Sequence, residues 1–304
     1  MSGRAIVTGG TGYVGRFIVE RLLADGWQVT VLGRTPPGDG FFSRSVSFRS
    51  FDLDQATPAF FGGGEVLVHC AFDHVPGRYR GGEGDDPDAF RRRNVAGSIA
   101  LFDAARQAGV GRALFLSSRA VYGTQAPGAV LSEDMECRPD TLYGEAKLAV
   151  ERALSAMASP AFRTATLRVT GVYGPAGAGA AHKWQGLIDD VRAGRPVATR
   201  AGTEVHGEDV ARAVVVAIRA LADETAALTL NVSDIVVDNA DLVAILNARV
   251  GMSGALPPRA DEAGLNVMAT DRLRALGWTP GGTALLERTV RALAHEAGGD
   301  AQSI

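Results

Sequence analysis

Tyr143 and Lys147 stand four residues apart in Tyr143-Gly144-Glu145-Ala146-Lys147. On a helix that spacing puts both side chains on one face, about one turn apart. An ammonium close to a phenol favours the phenolate and brings the tyrosine towards working pH, which makes a general acid/base. The plainer reading is an exposed helix face with an ordinary tyrosine and lysine, because short motifs of this kind arise by chance. The pair has company, however. Upstream, the apolar run Ala113-Leu114-Phe115-Leu116 ends in Ser117 and Ser118. A hydroxyl at the carboxyl end of a central strand can hydrogen-bond a substrate carbonyl. It can also do no more than cap the segment that follows.

A second kind of chemistry is written near the start of the chain. Thr8-Gly9-Gly10-Thr11-Gly12-Tyr13-Val14-Gly15 follows the apolar run Ala5-Ile6-Val7 and precedes a segment of helical period through Leu23. Strand, glycine turn and helix in that order make a phosphate-binding unit. The glycines let the backbone turn sharply and approach a pyrophosphate, and the helix N-terminus offers unpaired N–H groups to the anion. The next strand, 27–32, completes a βαβ unit.

These residues need a sheet to hold them. Strand-like runs at 46–48, 65–70, 113–116 and 164–169 alternate with helical ones at 94–108 and 142–157, the pattern of a parallel sheet covered on both faces. Between 73 and 88 lies a polar, glycine-rich loop long enough to suspect a function. Beyond Tyr173 the alternation loosens. Helices are expected at 184–191, 208–221, 239–250 and 284–297 and a strand at 227–232, with little strand between the last two helices. The fold class is therefore α/β, a Rossmann-type doubly wound parallel sheet with a small C-terminal substrate-binding lobe. Residues 1–173 and 201–236 are assigned to the dinucleotide-binding domain, and 174–200 and 237–304 to the lobe.

Composition excludes several classes. The chain has 304 residues, 46% of them hydrophobic and 21% charged, and a formal charge of −3, so nucleic acid is not an expected partner. Two cysteines, Cys70 and Cys137, make no disulfide framework, and neither lies in a metal-like histidine cluster; no metal is expected. The N-terminus runs straight into a strand, leaving no room for a signal peptide, and no apolar stretch reaches the roughly 18 residues of a membrane helix. A cytoplasmic protein without membrane contact is expected.

Taken together, the motifs resemble the extended short-chain dehydrogenase/reductase family, also called the NAD-dependent epimerase/dehydratase family. Besides the Thr8–Gly15 turn they are Asp52-Leu53, Asn94-Val95-Ala96-Gly97-Ser98, Ser118 with Val121-Tyr122-Gly123, and Tyr143 to Lys147. Arg168 with Val172-Tyr173-Gly174-Pro175 follows, then His206-Gly207-Glu208-Asp209-Val210-Ala211 and Leu276-Gly277-Trp278-Thr279-Pro280. They occur in family order over nearly the whole chain. The resemblance implies that Tyr143 moves a proton on a substrate oxygen while a hydride passes to or from nicotinamide. It implies that Lys147 assists Tyr143 and holds the nicotinamide ribose, and that Ser118 bonds the same substrate oxygen. Gly9, Gly12 and Gly15, with Thr11, Tyr13 and Val14 of the same turn, would line the pyrophosphate. Asp52 and Leu53 would flank the adenine, and Ala71 would touch the cofactor after the fourth strand. Dimerisation, through helices near 94–108 and 142–157, is expected by the same analogy.

Strand two ends in Gly33-Arg34, where NAD-preferring members resemble one another in carrying an acid for the ribose 2′-OH. Arg34 could instead pair with a 2′-phosphate, so NADP is favoured over NAD. Other departures bear on the substrate. Arg119-Ala120 stands where sugar-nucleotide dehydratases have an Asp-Glu pair. Gly202 stands where nucleotide-sugar epimerases carry a diphosphate-binding arginine, and Gly171 replaces the usual asparagine. The expected substrate is thus a small hydroxylated or carbonyl compound, such as a sugar or sugar-acid derivative, turned over by net oxidation or reduction. A nucleotide-sugar epimerase is the alternative, and a non-catalytic dinucleotide sensor a third. Candidate substrate contacts are Phe72, His74, Arg78 and Arg80, then Ser118 and Arg119, then Tyr173, His182, Lys183 and Trp184. His206 is expected to pack or bond at the start of the helix that follows it.

Overall fold

In the computed structural model residues 3–74, 82–177, 180–222 and 226–299 are described, the side chains of 296–299 aside. Arg78 and Arg80 lie outside the described residues. The first half of the chain runs β1 (Arg4–Thr8), α1 (Tyr13–Ala24), β2 (Gln28–Gly33), β3 (Ser47–Ser50), β4 (Val66–His69), α2 (Pro87–Arg91), α3 (Gly97–Gln107), β5 (Arg112–Ser118), β6 (Val130–Leu131) and α4 (Leu142–Ala156). The second half runs β7 (Arg163–Val169), β8 (Gly171–Tyr173), α5 (Gln185–Arg192), β9 (Ala201–His206), α6 (Gly207–Ala220), β10 (Ala227–Val232), β11 (Ile235–Asp238), α7 (Asn239–Ile245), β12 (Val267–Met268), α8 (Asp271–Ala275) and α9 (Gly282–Gly299).

Seven strands form one sheet in the order β10-β7-β5-β4-β1-β2-β3, every neighbouring pair parallel. The short apolar runs that build it, such as the fully buried Val66-Leu67-Val68, suit strands covered on both faces. On one face Phe17, Ile18 and Leu22 of α1 pack with Val210, Val214 and Ile218 of α6. On the other, Leu101 and Phe102 of α3 join Val150 and Leu154 of α4 over Phe115. The strand order reverses between β1 and β4, which opens a crevice at the carboxyl ends of the strands.

Two features depart from the sequence expectation. The helix expected at 94–108 is interrupted: a π-helical turn over Arg92–Ala96 leads into α3, and such turns are frequent at functional sites. A separate three-stranded sheet, β11-β9-β8, is also built from segments for which the sequence reading gives no strand. Strand β9, Ala201-Gly202-Thr203-Glu204-Val205-His206, has no clean alternation because its polar residues find partners only across the fold, Thr203 at Thr170 and Glu204 at Lys183. A third core, with Trp184, Ile188, Val243, Leu246 and Val290, gathers α5, α7 and α9 beside that sheet. Among the described residues no helix is long and apolar enough to cross a membrane.

Candidate active site

The glycine turn forms the floor of the crevice. Gly9 takes φ +65° and donates its N–H to the carbonyl of Leu32, closing the turn against β2. A Cβ at Gly9 would fall 2.7 Å from the Ala71 nitrogen, and one at Gly15 only 2.1 Å from the Gly9 carbonyl. No side chain can stand at either place. Helix α1 starts at Gly12 without a side-chain cap and with no acidic residue in its first turn. Its N–H groups are left to an anion, so the cradle fits a dinucleotide pyrophosphate. Thr11, Tyr13 and Val14 are half-buried around it. Tyr13 donates to the carbonyl of Gly174 (2.8 Å), and Arg16 donates to that of Pro175 (2.8 Å). The loop after β8 is thereby latched to α1.

Under the crevice a buried hydrogen-bond chain joins β1 to β4 and to the π-helical turn. The Ala71 N–H donates to Thr8 Oγ1 (3.3 Å), and the Thr8 hydroxyl donates to His69 Nδ1 (2.6 Å). His69 Nε2 then donates to Ser98 Oγ (2.9 Å), whose hydroxyl donates to the carbonyl of Asn94 (2.5 Å). This one assignment of the imidazole satisfies every member. Burial, with Lys147 adding to it, pushes His69 down to about 3, so the ring is neutral. Asn94 Oδ1 accepts from the Asp73 N–H (2.7 Å) and its Nδ2 donates back to the Asp73 carbonyl (2.9 Å). The segment 71–73, with Ala71 and Phe72, is fixed in this way. The sequence assigns His69 no role and Asn94 only a place in a family motif, because their partners are dispersed along the chain.

Ser118 ends β5, and its Oγ accepts from the Ala120 N–H (3.2 Å), capping the short turn Arg119–Tyr122. Capping uses an acceptor lone pair and leaves the O–H as a donor, so the two readings of this serine are compatible. Ser117 points elsewhere, to Glu151. Helix α4, capped by Thr141 Oγ1 accepting from the Gly144 N–H (3.1 Å), lies close by. A Cβ at Gly144 would meet the Ala120 carbonyl at 2.6 Å, so glycine there lets the first turn of α4 lie against the Ser118 turn. Tyr143 is half-buried in that turn, its ring edge-on to Phe72 with centroids 5.1 Å apart. Lys147 is 4% exposed and donates Nζ to the carbonyl of Leu116 (2.7 Å). Its ammonium stands 4.2 Å from the centre of Phe72, 4.6 Å from Phe115 and 5.8 Å from the Tyr143 ring. Burial draws it down to about 7, against the upward pull of Cys70 and Glu151.

The remaining candidates are dispersed over several parts of the fold. Asp52 caps the turn Leu53–Gln55, and the buried Leu53 backs onto Gly97. The exposed Arg34 lies 3.7 Å from Asp73, which Arg93 holds more closely at 2.6 Å. Arg119 donates to the carbonyl of Asn266 (3.2 Å), and His74 is exposed beside the Phe72 carbonyl. Tyr173 is fully buried, stacked on Trp184 with centroids 4.8 Å apart, and His182 is buried next to it, accepting from the Trp184 N–H. Lys183 is ion-paired with the buried Glu204. His206 accepts from the Glu208 N–H and so caps α6.

A crevice with an open helix N-terminus, next to a hydroxyl, a phenol and a buried ammonium, defines a dinucleotide-binding fold of the short-chain dehydrogenase/reductase type. Residues 5–233 match the NAD dependent epimerase/dehydratase family, and the chain belongs to it. It is 32% identical over 169 residues to a UDP-glucose 4-epimerase of Streptomyces lividans, a match covering 52% of this chain and 49% of that protein. To the decarboxylating sterol-4-alpha-carboxylate 3-dehydrogenase of Mus musculus it is 30% identical over 179 residues, covering 57% of this chain and 46% of that one. The matched region thus spans about half the length of these curated relatives. Among solved structures, MoeE5 in complex with UDP-glucose and NAD superposes with a TM-score of 0.79 at 26% identity, over 99% of this chain and 100% of that one.

Proposed function

We propose that this protein is a nicotinamide-dinucleotide oxidoreductase that acts at a secondary alcohol or carbonyl carbon of a small hydroxylated substrate, such as a sugar or sugar-acid derivative. One observation carries the reading: Tyr143 and the buried Lys147 lie against the turn of Ser118, beside an uncapped helix N-terminus. In this reading residues 1–173 with 201–236 hold the cofactor and 174–200 with 237–304 receive the substrate. The bound nicotinamide supplies or accepts the hydride. Ser118 donates its free hydroxyl proton to the reacting oxygen. Tyr143 takes the proton of that oxygen in oxidation and returns it in reduction, with the Lys147 ammonium favouring the phenolate. Phe72 and Phe115 keep water from the ammonium.

The preference for NADP rests on Arg34, and the geometry weakens it. Asp73 already offers Arg34 a carboxylate, and MoeE5 holds NAD; NAD is therefore the cofactor of this reading. A nucleotide-sugar epimerase is the second reading, favoured by the likeness to UDP-glucose 4-epimerases. Against it, Cβ atoms at Gly171 and Gly202 would both face the Lys183–Glu204 pair, at 2.7 Å and 3.8 Å, so an ion pair of no net charge occupies that wall. Homodimerisation belongs to the same proposal. A groove of about 580 Å³ beside α3 and α4 is lined by Val95, Ala96, Ile99, Ala146 and Ala149 together with the charged Arg91, Arg92 and Glu145.

The test is a panel of sugars, sugar acids and nucleotide sugars, assayed with NAD and NADP for net absorbance change and for conversion without it. Net change with NAD supports the first reading; conversion of a UDP-sugar with the cofactor unchanged supports the second. Tyr143→Phe should lower kcat by at least about 10²-fold while leaving dinucleotide affinity unchanged, in line with the loss of a general acid/base. Full residual activity in that variant would sink the assignment.

A further inference from the structure

Tyr143 and Lys147 are followed on the same face of α4 by Glu151, one turn further on. This carboxylate is buried and heavily engaged. Arg168 of β7 donates Nη2 to Oε2 (2.8 Å) and shares its Nε–H between Oε2 (3.1 Å) and Oε1 (3.3 Å). The Ser117 hydroxyl donates to its Oε1. Arg168 continues to the Tyr122 oxygen (3.1 Å), and Tyr122 donates to Asn231 Oδ1 of β10 (2.7 Å). Lys147 and Glu151 therefore grip consecutive residues of β5, the Leu116 carbonyl and the Ser117 hydroxyl. Ser118 comes next.

We propose, resting on the reading of the site above, that Glu151 is a positioning residue for the Tyr143–Lys147 pair. It ties α4 to β5 and β7 at the level of Lys147 and supplies the negative charge against which the buried ammonium is held, with Arg168 limiting that charge.

The surroundings leave this work to Glu151. Among the described residues, the titratable and charged groups that act on Lys147 are Tyr143 and Glu151 on α4 and His69 and Cys70 at the end of β4, with Arg168 of β7 paired to Glu151. His69 is neutral. Burial raises Cys70 to about 12, so at neutral pH it is an uncharged thiol, and its upward pull on Lys147 begins only where the thiol ionises. Glu151 is the anion that remains. Composition agrees: of 31 cationic residues only Lys147 and Lys183 are lysines. Arginine serves everywhere else, and a guanidinium stays charged at every relevant pH, whereas an ammonium can be tuned. The charge near Lys147 is then a functional variable.

Two lysines also make the experiment clean. Protein labelled with 13C-lysine gives two Cε resonances, assigned with Lys183→Arg, and the Lys147 titration midpoint is read directly from the apoprotein. Glu151→Gln should lower that midpoint by about one pH unit, and Arg168→Gln, which unmasks the carboxylate, should raise it. Glu151→Asp, which keeps the charge, should restore the wild-type value to within about half a unit. A structural role alone would move both neutralising variants in one direction or neither. An unmoved midpoint in Glu151→Gln overturns the proposal, as do shifts of the same sign in the two variants. If Arg168→Gln does not fold, the comparison of Glu151→Gln with Glu151→Asp decides. The readout needs no substrate and no hydride transfer, so its failure is distinguishable from failure of the proposed activity.

Discussion

Lys147 works against the stability of the protein that carries it. An ammonium at 4% exposure, lowered from an ordinary value near 10.5 to about 7, binds its proton less tightly when folded than when unfolded. Between these two values the unfolded chain holds the extra proton, so this residue's contribution to stability rises with pH across that window and is at its worst below pH 7. Lys147→Met keeps the volume and removes the charge. It should raise stability at pH 6–7 by about 2 kcal/mol or more, as relief of a buried charge does, while abolishing turnover. In denaturant titrations the gain should shrink towards pH 10. A destabilised variant at pH 6 would mean that the Leu116 hydrogen bond outweighs the desolvation.

At the scale of elements, the crevice depends on close approach of backbones. Strand β1, the glycine turn and α1 can meet only if Gly15 has no side chain, because its Cβ would lie 2.1 Å from the Gly9 carbonyl. Gly15→Ala is expected to cost about 2–4 kcal/mol of stability, the range of strained or overpacked sites. It should also weaken NAD binding by more than about tenfold, equivalent to about 1.4 kcal/mol. Calorimetric titration with NAD checks the second number; wild-type affinity would show that the turn does not line the cofactor. The π-helical turn Arg92–Ala96 is the other element with a local purpose. It turns Asn94 inward, where one side chain bonds Asp73 through both its N–H and its carbonyl.

At the scale of the whole molecule, one side of the crevice is closed by contacts between distant segments. Tyr13 and Arg16 on α1 hold the carbonyls of Gly174 and Pro175, and the Phe17 ring meets His206 edge-on at 5.7 Å. The outer side carries the groove along α3 and α4, with Val95 and Ile99 half-buried. If two copies meet there, Ile99→Glu should convert a dimer into a monomer in sedimentation velocity at micromolar concentration, because a charge at a buried apolar contact is costly. A monomeric wild type would remove that reading.

The sequence by itself determined the strands of the seven-stranded sheet and the main helices between them, the glycine turn and the Tyr143–Lys147 face, because each is set by interactions within a few residues: apolar period, absent Cβ atoms and helical spacing. Ser118 was legible as either a cap or a donor, and the structure shows the cap with the donor still available. Other matters are pairings over long sequence separations, and only the tertiary structure decided them. Thr8 finds His69 and Ser117 finds Glu151. Arg34 meets Asp73, and Tyr173 and Trp184, taken as substrate contacts, stack inside a core of their own. A buried polar group needs a partner, and no local pattern says where along the chain that partner lies.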